Sequence, residues 1–213
     1  MHDILTQLER FRVIPVVALQ AAESANALGD ALRAGGLPCA EVTFRTASAA
    51  AIIKTLAARG DLLVGAGTVL KVDQVKAAVD GGAAFIVAPG FNPKVVSYCV
   101  AQGIPVTPGV CTPTEIEMAL DHGLEVLKFF PAETFGGLKA LKALSAPYGQ
   151  VRFIPTGGIT AENLPAYLAF PKVLACGGSW MVAGDLLQAG RFEEVTRLTR
   201  LAVKAAQSAN GAA

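Results

Sequence analysis

Eight short runs rich in Val, Ile and Leu begin near Val13, Cys39, Leu62, Ala84, Ile104, Glu125, Val151 and Lys172, and alanine-rich stretches of helical period separate them. Successive starts lie 20 to 26 residues apart, the length occupied by one strand, one helix and two short loops. The runs are continuous rather than alternating, as strands covered on both faces are. Helix punctuation keeps step with them. Asn92-Pro93 and Thr112-Pro113-Thr114-Glu115 are cap-plus-proline starts, the second also a capping box, and Gly35, Gly60, Gly81, Gly103 and Gly123 stand where helices end before strands. The expectation is an α/β fold, a single (β/α)8 TIM barrel over residues 1–213, with an additional N-terminal helix near residues 3–11 and a frayed tail near 208–213. Period alone does not prove closure, so an open doubly wound sheet is the rival architecture.

A chain of 213 residues with 53% hydrophobic content can bury one sizeable core and needs no second domain. Its net charge of +1, with no run of lysine or arginine, provides no electrostatic footprint for nucleic acid or an anionic membrane. The expected partner is therefore a small molecule. The opening residues 1–9 carry acids where a signal peptide needs a basic segment, and no apolar run reaches the ~18 residues of a membrane span. A soluble, cytoplasmic protein follows as an expectation. Cys39, Cys99, Cys111 and Cys176 are widely spaced and form no Cys-x-x-Cys pair, which favours buried thiols in a reducing compartment over disulfides or zinc. With only His2 and His122 present, neither a His-rich metal site nor a Ser-His-Asp triad can be assembled. His122 reads as a cation at a helix C-terminus. The chain also lacks the nicotinamide and nucleoside triphosphate glycine fingerprints, so no cofactor and no metal are expected.

One residue contradicts its surroundings. Lys128 lies within Val126-Leu127-Lys128-Phe129-Phe130-Pro131-Ala132-Glu133, an apolar run where an ammonium group is costly to bury. The other eight of the nine lysines fall in helix-like or boundary segments. Desolvation disfavours a charged amine, and the neutral form is the one that attacks a carbonyl. Lys128 thus points to imine chemistry, against the simpler readings of a lysine that snorkels to a barrel mouth or pairs with a carboxylate.

In such a barrel, chemistry belongs at the carboxyl ends of the strands. The second strand supplies Glu41, Thr43 and Arg45 on one face by the two-residue period. Extended geometry separates Glu41 from Arg45 by about 13 Å, setting a proton-transfer group below an anion clamp at the mouth. An internal Glu41–Lys128 salt bridge with a surface arginine is the alternative. The third strand ends in Gly65-Ala66-Gly67-Thr68, a weak motif offering close backbone approach and a hydroxyl. The seventh and eighth end in Pro155-Thr156-Gly157-Gly158-Ile159 and Cys176-Gly177-Gly178-Ser179-Trp180. Loops after these two strands commonly hold a substrate phosphate, with Ser179 as a further donor, although turn glycines without a ligand would read the same way. Glu133 and Asp185 read as solvated or helix-start charges.

The segments 41–46, 64–70, Ala88-Pro89-Gly90, 128–133, 155–159 and 177–180 together strongly resemble, in order, spacing and type, the 2-keto-3-deoxy-6-phosphogluconate (KDPG) aldolases, which are also associated with 4-hydroxy-2-oxoglutarate (KHG). The resemblance runs from about Val13 to Gly190. It implies a class I aldolase, usually a homotrimer, that cleaves the phosphorylated keto acid to pyruvate and glyceraldehyde 3-phosphate. It makes Lys128 the Schiff-base residue and Glu41 the proton acceptor and donor. Arg45, Thr68 and Pro89 would line the pyruvate end; Gly157, Gly158, Gly177 and Ser179 would correspond to the phosphate end, where the barrel argument independently expects an anion. Other readings are an aldolase for the C4 epimer 2-keto-3-deoxy-6-phosphogalactonate, a phosphosugar isomerase or epimerase, and a noncatalytic phosphometabolite-binding barrel.

Overall fold

A computed structural model of the chain describes residues 2–208. The expected frayed tail therefore lies outside the described residues, except for Ser208, which closes the last helix. The strands are β1 (Val13–Val17), β2 (Cys39–Thr43), β3 (Leu63–Gly67), β4 (Phe85–Val87), β5 (Val106–Thr107), β6 (Gly109–Val110), β7 (Val126–Phe129), β8 (Arg152–Pro155) and β9 (Cys176–Gly178). The helices are α1 (His2–Phe11), α2 (Ala25–Ala34), α3 (Ala49–Ala58), α4 (Val72–Asp80), α5 (Pro93–Ala101), α6 (Pro113–Asp121), α7 (Gly137–Ser145), α8 (Leu164–Leu168), α9 (Gly184–Gln188) and α10 (Phe192–Ser208).

The strands form a six-stranded sheet of order β5-β4-β3-β2-β1-β9 and a three-stranded sheet of order β6-β7-β8, and all their pairings are parallel. The single fifth run expected from the sequence is broken at Pro108 into β5 and β6. Proline has no N–H to contribute to a ladder, but its carbonyl still accepts from Lys128 N–H at 2.9 Å. On the other side, isolated parallel bridges Phe153↔Val173 and Thr156↔Gly177 link the β8 region to the β9 region.

Alternation along the strands divides the apolar residues into two clusters. Val13, Val17, Ala40, Val42, Val64, Ala66, Ile86, Leu127, Phe129 and Phe153 belong to the larger one, with buried residues of the helices. Their alternates Ile14, Cys39, Phe85, Val87, Val126 and Ile154 form a second cluster with Leu8 of α1, which Ile4 and Leu5 pack against. Burying Leu8, 1% exposed, contributes on the order of 2 kcal/mol and explains why a helix precedes the first strand. Both caps read from the sequence form. Asn92 accepts from Lys94 N–H, and Thr112 and Glu115 make the reciprocal capping box. Among the described residues no helix is long and apolar enough to cross a membrane.

Candidate active site

The second cluster stops where the strands' inward positions turn polar. In β2 the sequence runs from Cys39 to Glu41 and Thr43 on that face, and in β7 from Val126 to Lys128. Glu41 is 3% exposed and Lys128 5% exposed. Lys128 Nζ lies 3.5 Å from Glu41 Oε1, longer than the 2.7–2.9 Å usual for a charge-assisted hydrogen bond. The Phe130 ring centroid is 5.0 Å from the same nitrogen, an apolar wall whose face also favours a cation. Close approach on the β3 side gives Glu41 its room: a methyl group on Gly67 would stand 2.2 Å from Glu41 Oε1.

Lys128 and Glu41 open into a cavity of about 270 Å³. All nine residues singled out from the sequence line it: Lys128, Glu41, Arg45, Thr68, Pro89, Gly157, Gly158, Gly177 and Ser179. Arg45 follows the end of β2 and is exposed, with Glu41 deeper, in the order the extended geometry predicts. Its Nε donates to Thr43 Oγ1 at 3.1 Å, and that hydroxyl donates to Val17 O at 2.7 Å. Thr68 has φ 54°, left-handed backbone that a β-branched residue rarely adopts and that costs about 1–3 kcal/mol. Pro89 is pressed against β6, where its carbonyl oxygen would stand 2.1 Å from a methyl group on Gly109.

Gly157 and Gly158 have φ of 97° and 79°, which only glycine adopts without strain. Ser179 is exposed and precedes a 3-10 turn (Trp180–Val182), but its side chain caps no backbone group.

Sequence reading missed five lining residues: Val16, Phe130, Thr156, Ile159 and Gly178. Thr156 carries a usable signal, since it continues the inward face of Ile154 by two residues, but the adjoining Gly157-Gly158 turn masks it. Its Oγ1 lies 3.4 Å from Ile154 O, and it would stand 2.4 Å from a methyl group on Gly177.

Other groups fall outside the cavity lining. Asp185 is an exposed acid in the first turn of α9, as expected. Glu133 is also exposed but has a partner that sequence could not supply, the Tyr167 hydroxyl, which donates to Glu133 Oε1. Burial first, then Glu133, pushes the Tyr167 phenol upward, so it remains a donor. His122 caps the C-terminus of α6, with Nδ1 2.8 Å from Met118 O and Nε2 3.1 Å from Ser97 Oγ. All four cysteines are free; Cys39, Cys99 and Cys176 are buried and Cys111 is partly so. Burial raises the Cys99 thiol to about 11. Burial, with Glu41 second, pushes Cys39 up as well. Among the described residues no group of three or more His, Cys, Asp or Glu could hold a metal ion.

The sequence model of the KDPG and KHG aldolases matches residues 4–198. A 2-dehydro-3-deoxy-phosphogluconate aldolase of Treponema pallidum is 52% identical over 201 residues, covering 94% of this chain and 96% of the relative. The crystal structure of the KDPG aldolase of Legionella pneumophila, with pyruvate captured at low pH as a covalent carbinolamine intermediate, superposes with a TM-score of 0.89 at 36% identity. That match covers 92% of this chain and 96% of the other. The 2-keto-3-deoxy-6-phosphogluconate aldolase of Zymomonas mobilis ZM4, solved with 3-phosphoglycerate, gives 0.87 at 38% identity over 93% of this chain and 94% of its own. On these matches, this chain belongs to the KDPG and KHG aldolase family.

Proposed function

We propose that this chain is a class I aldolase that cleaves KDPG to pyruvate and glyceraldehyde 3-phosphate, acts also on KHG, and uses Lys128 as its Schiff-base residue. The observation that carries the proposal is the buried Lys128–Glu41 pair, 3.5 Å apart, in one cavity with a glycine turn of positive φ. Stability alone is a poor reason for the pair, because desolvating two charges costs about what their attraction returns. The carbinolamine of the Legionella pneumophila relative requires an amine that adds to a keto carbon. Lys128 carries the one side-chain amine among the residues lining this cavity.

The chemistry follows from these groups. Neutral Lys128 Nζ adds to the keto carbon C2, and loss of water gives an iminium that draws electrons from the C3–C4 bond. Glu41, directly or through water, takes the C4 hydroxyl proton as that bond breaks and the aldehyde departs. The remaining enamine takes a proton at C3, which the same carboxyl group, now protonated, returns, and water then releases pyruvate and restores the amine. The Phe130 face lies where the iminium's positive charge develops. Arg45, Thr68 and Pro89 serve the pyruvate end; Gly157, Gly158, Gly177 and Ser179 serve the phosphate end. The 3-phosphoglycerate of the Zymomonas mobilis relative is a ligand with both kinds of group.

The remaining expectations belong to the same proposal. Only Pro108 separates β5 from β6, and two bridges join the β8 and β9 regions, which supports one closed (β/α)8 barrel and a single domain over an open sheet. Exposed Leu70, Val79 and Val100 suit a subunit contact of a homotrimer, and free thiols suit the cytoplasm. Borohydride trapping with pyruvate tests the core of the proposal. A stable adduct is expected on the native chain and none on Lys128→Ala; phosphosugar isomerisation without an adduct would replace this reading.

A further inference from the structure

The glycine turn at the phosphate end is held in place from behind. Three successive carbonyls are engaged: Thr156 O accepts from Ala132 N–H at 2.8 Å, Gly157 O from Glu133 N–H at 3.1 Å, and Gly158 O from Asn163 Nδ2 at 2.9 Å. In a planar trans peptide the N–H points opposite to the carbonyl. Fixing these three oxygens therefore aims the N–H groups of Gly157, Gly158 and Ile159 the other way, as a concave nest suited to an anion. Among the described residues the N–H groups of Gly158 and Ile159 have no backbone acceptor, and all three residues line the cavity.

Two of the three clamps come from the segment after β7, and that segment is locked through Glu133. Its stem lies beneath the turn, so that a methyl group on Gly158 would stand 2.6 Å from both Glu133 Cβ and Cγ. Its carboxylate is turned to the hydroxyl of Tyr167, a residue of α8 that is 2% exposed. The third clamp, Asn163, stands at the start of the same helix, and its Oδ1 accepts from Thr160 N–H at 2.9 Å.

We infer that Tyr167, acting through Glu133, is a positioning residue for the 157–159 turn and so sets affinity for the phosphate end of the substrate. This rests on the aldolase reading for its substrate, but not for its binding test. Tyr167→Phe deletes one hydroxyl and keeps the ring. The KM for KDPG should rise about tenfold, the scale of one lost hydrogen bond, with kcat nearly unchanged. Cleavage of KHG, which has no phosphate, and trapping of pyruvate should be unaffected. Glu133→Ala should reproduce the effect; Glu133→Gln, which still accepts from Tyr167, should restore most of the affinity. General loosening of the fold would instead impair both substrates alike, and that result would overturn the inference. Inorganic phosphate binding, measured by calorimetry on each variant, separates this inference from the aldolase reading. If the native chain forms no pyruvate adduct, the aldolase reading fails, yet Tyr167→Phe should still weaken phosphate. Unchanged phosphate affinity in Tyr167→Phe would sink the positioning role.

Discussion

Lys128 Nζ stands 3.5 Å from Glu41 Oε1, although β7 and β2 lie in different sheets. The contact places a proton-transfer group beside the amine, and the two roles can be separated. Glu41→Gln keeps the shape but cannot take a proton. Its kcat should fall by about 10²–10⁴, while slow adduct formation with pyruvate under borohydride persists. A Glu41→Gln enzyme of native kcat would remove the carboxylate from the chemistry.

The position of that carboxylate depends on a missing side chain. At Gly67 an added methyl would stand 2.2 Å from Oε1 and 2.7 Å from Cγ of Glu41. Gly67→Ala should therefore push Glu41 away from Lys128 and reduce kcat by about 100-fold or more, since small misplacements cost that much. The accompanying loss of stability should be only about 1–3 kcal/mol, as for other overpacked sites. Denaturant melts together with steady-state kinetics would show whether activity falls far more than stability.

Ser179 is exposed at the cavity and its hydroxyl caps nothing. Ser179→Ala should raise the KM for KDPG by about tenfold, the scale of a hydrogen bond to a charged group, and alter that for KHG far less. Equal shifts for the two substrates would take Ser179 out of the phosphate end.

Glu115 offers a check on stability against pH. Burial pushes its carboxyl up, but N–H groups of Cys111 and Thr112, at 2.8 and 3.0 Å, and the Thr112 hydroxyl outweigh that and hold it below its ordinary range. A depressed carboxyl stabilises the fold above its unfolded-state value and loses that contribution as pH falls through the native one. Glu115→Gln should thus cost on the order of 1 kcal/mol at neutral pH. Urea unfolding of both proteins should show the difference shrinking in acid; a difference that grows in acid would contradict the sign.

The sequence was most legible where a chemical mismatch coincided with a period. Lys128 and Glu41 are charged groups at inward positions of apolar strands, and Thr112-Pro113-Thr114-Glu115 carries its cap in four letters. Pro108 also marks the break between β5 and β6, a local signal that the apolar residues around it mask. Val16, Phe130 and Ile159 were harder, since an apolar side chain lining a cavity has the same local pattern as one in a core. The Tyr167–Glu133 bond could not be read at all, because it joins an α8 residue to a loop 34 positions earlier.

By itself the sequence determined which strand face each reactive residue occupies, because a two-residue alternation and helix caps are local properties of the chain. Tertiary structure alone decided the separations across the cavity. Lys128 and Glu41 are 87 residues apart and do not share a sheet. Their approach depends on how the two sheets come together at the Pro108 break and at the bridges between the β8 and β9 regions, and no short-range period encodes that distance.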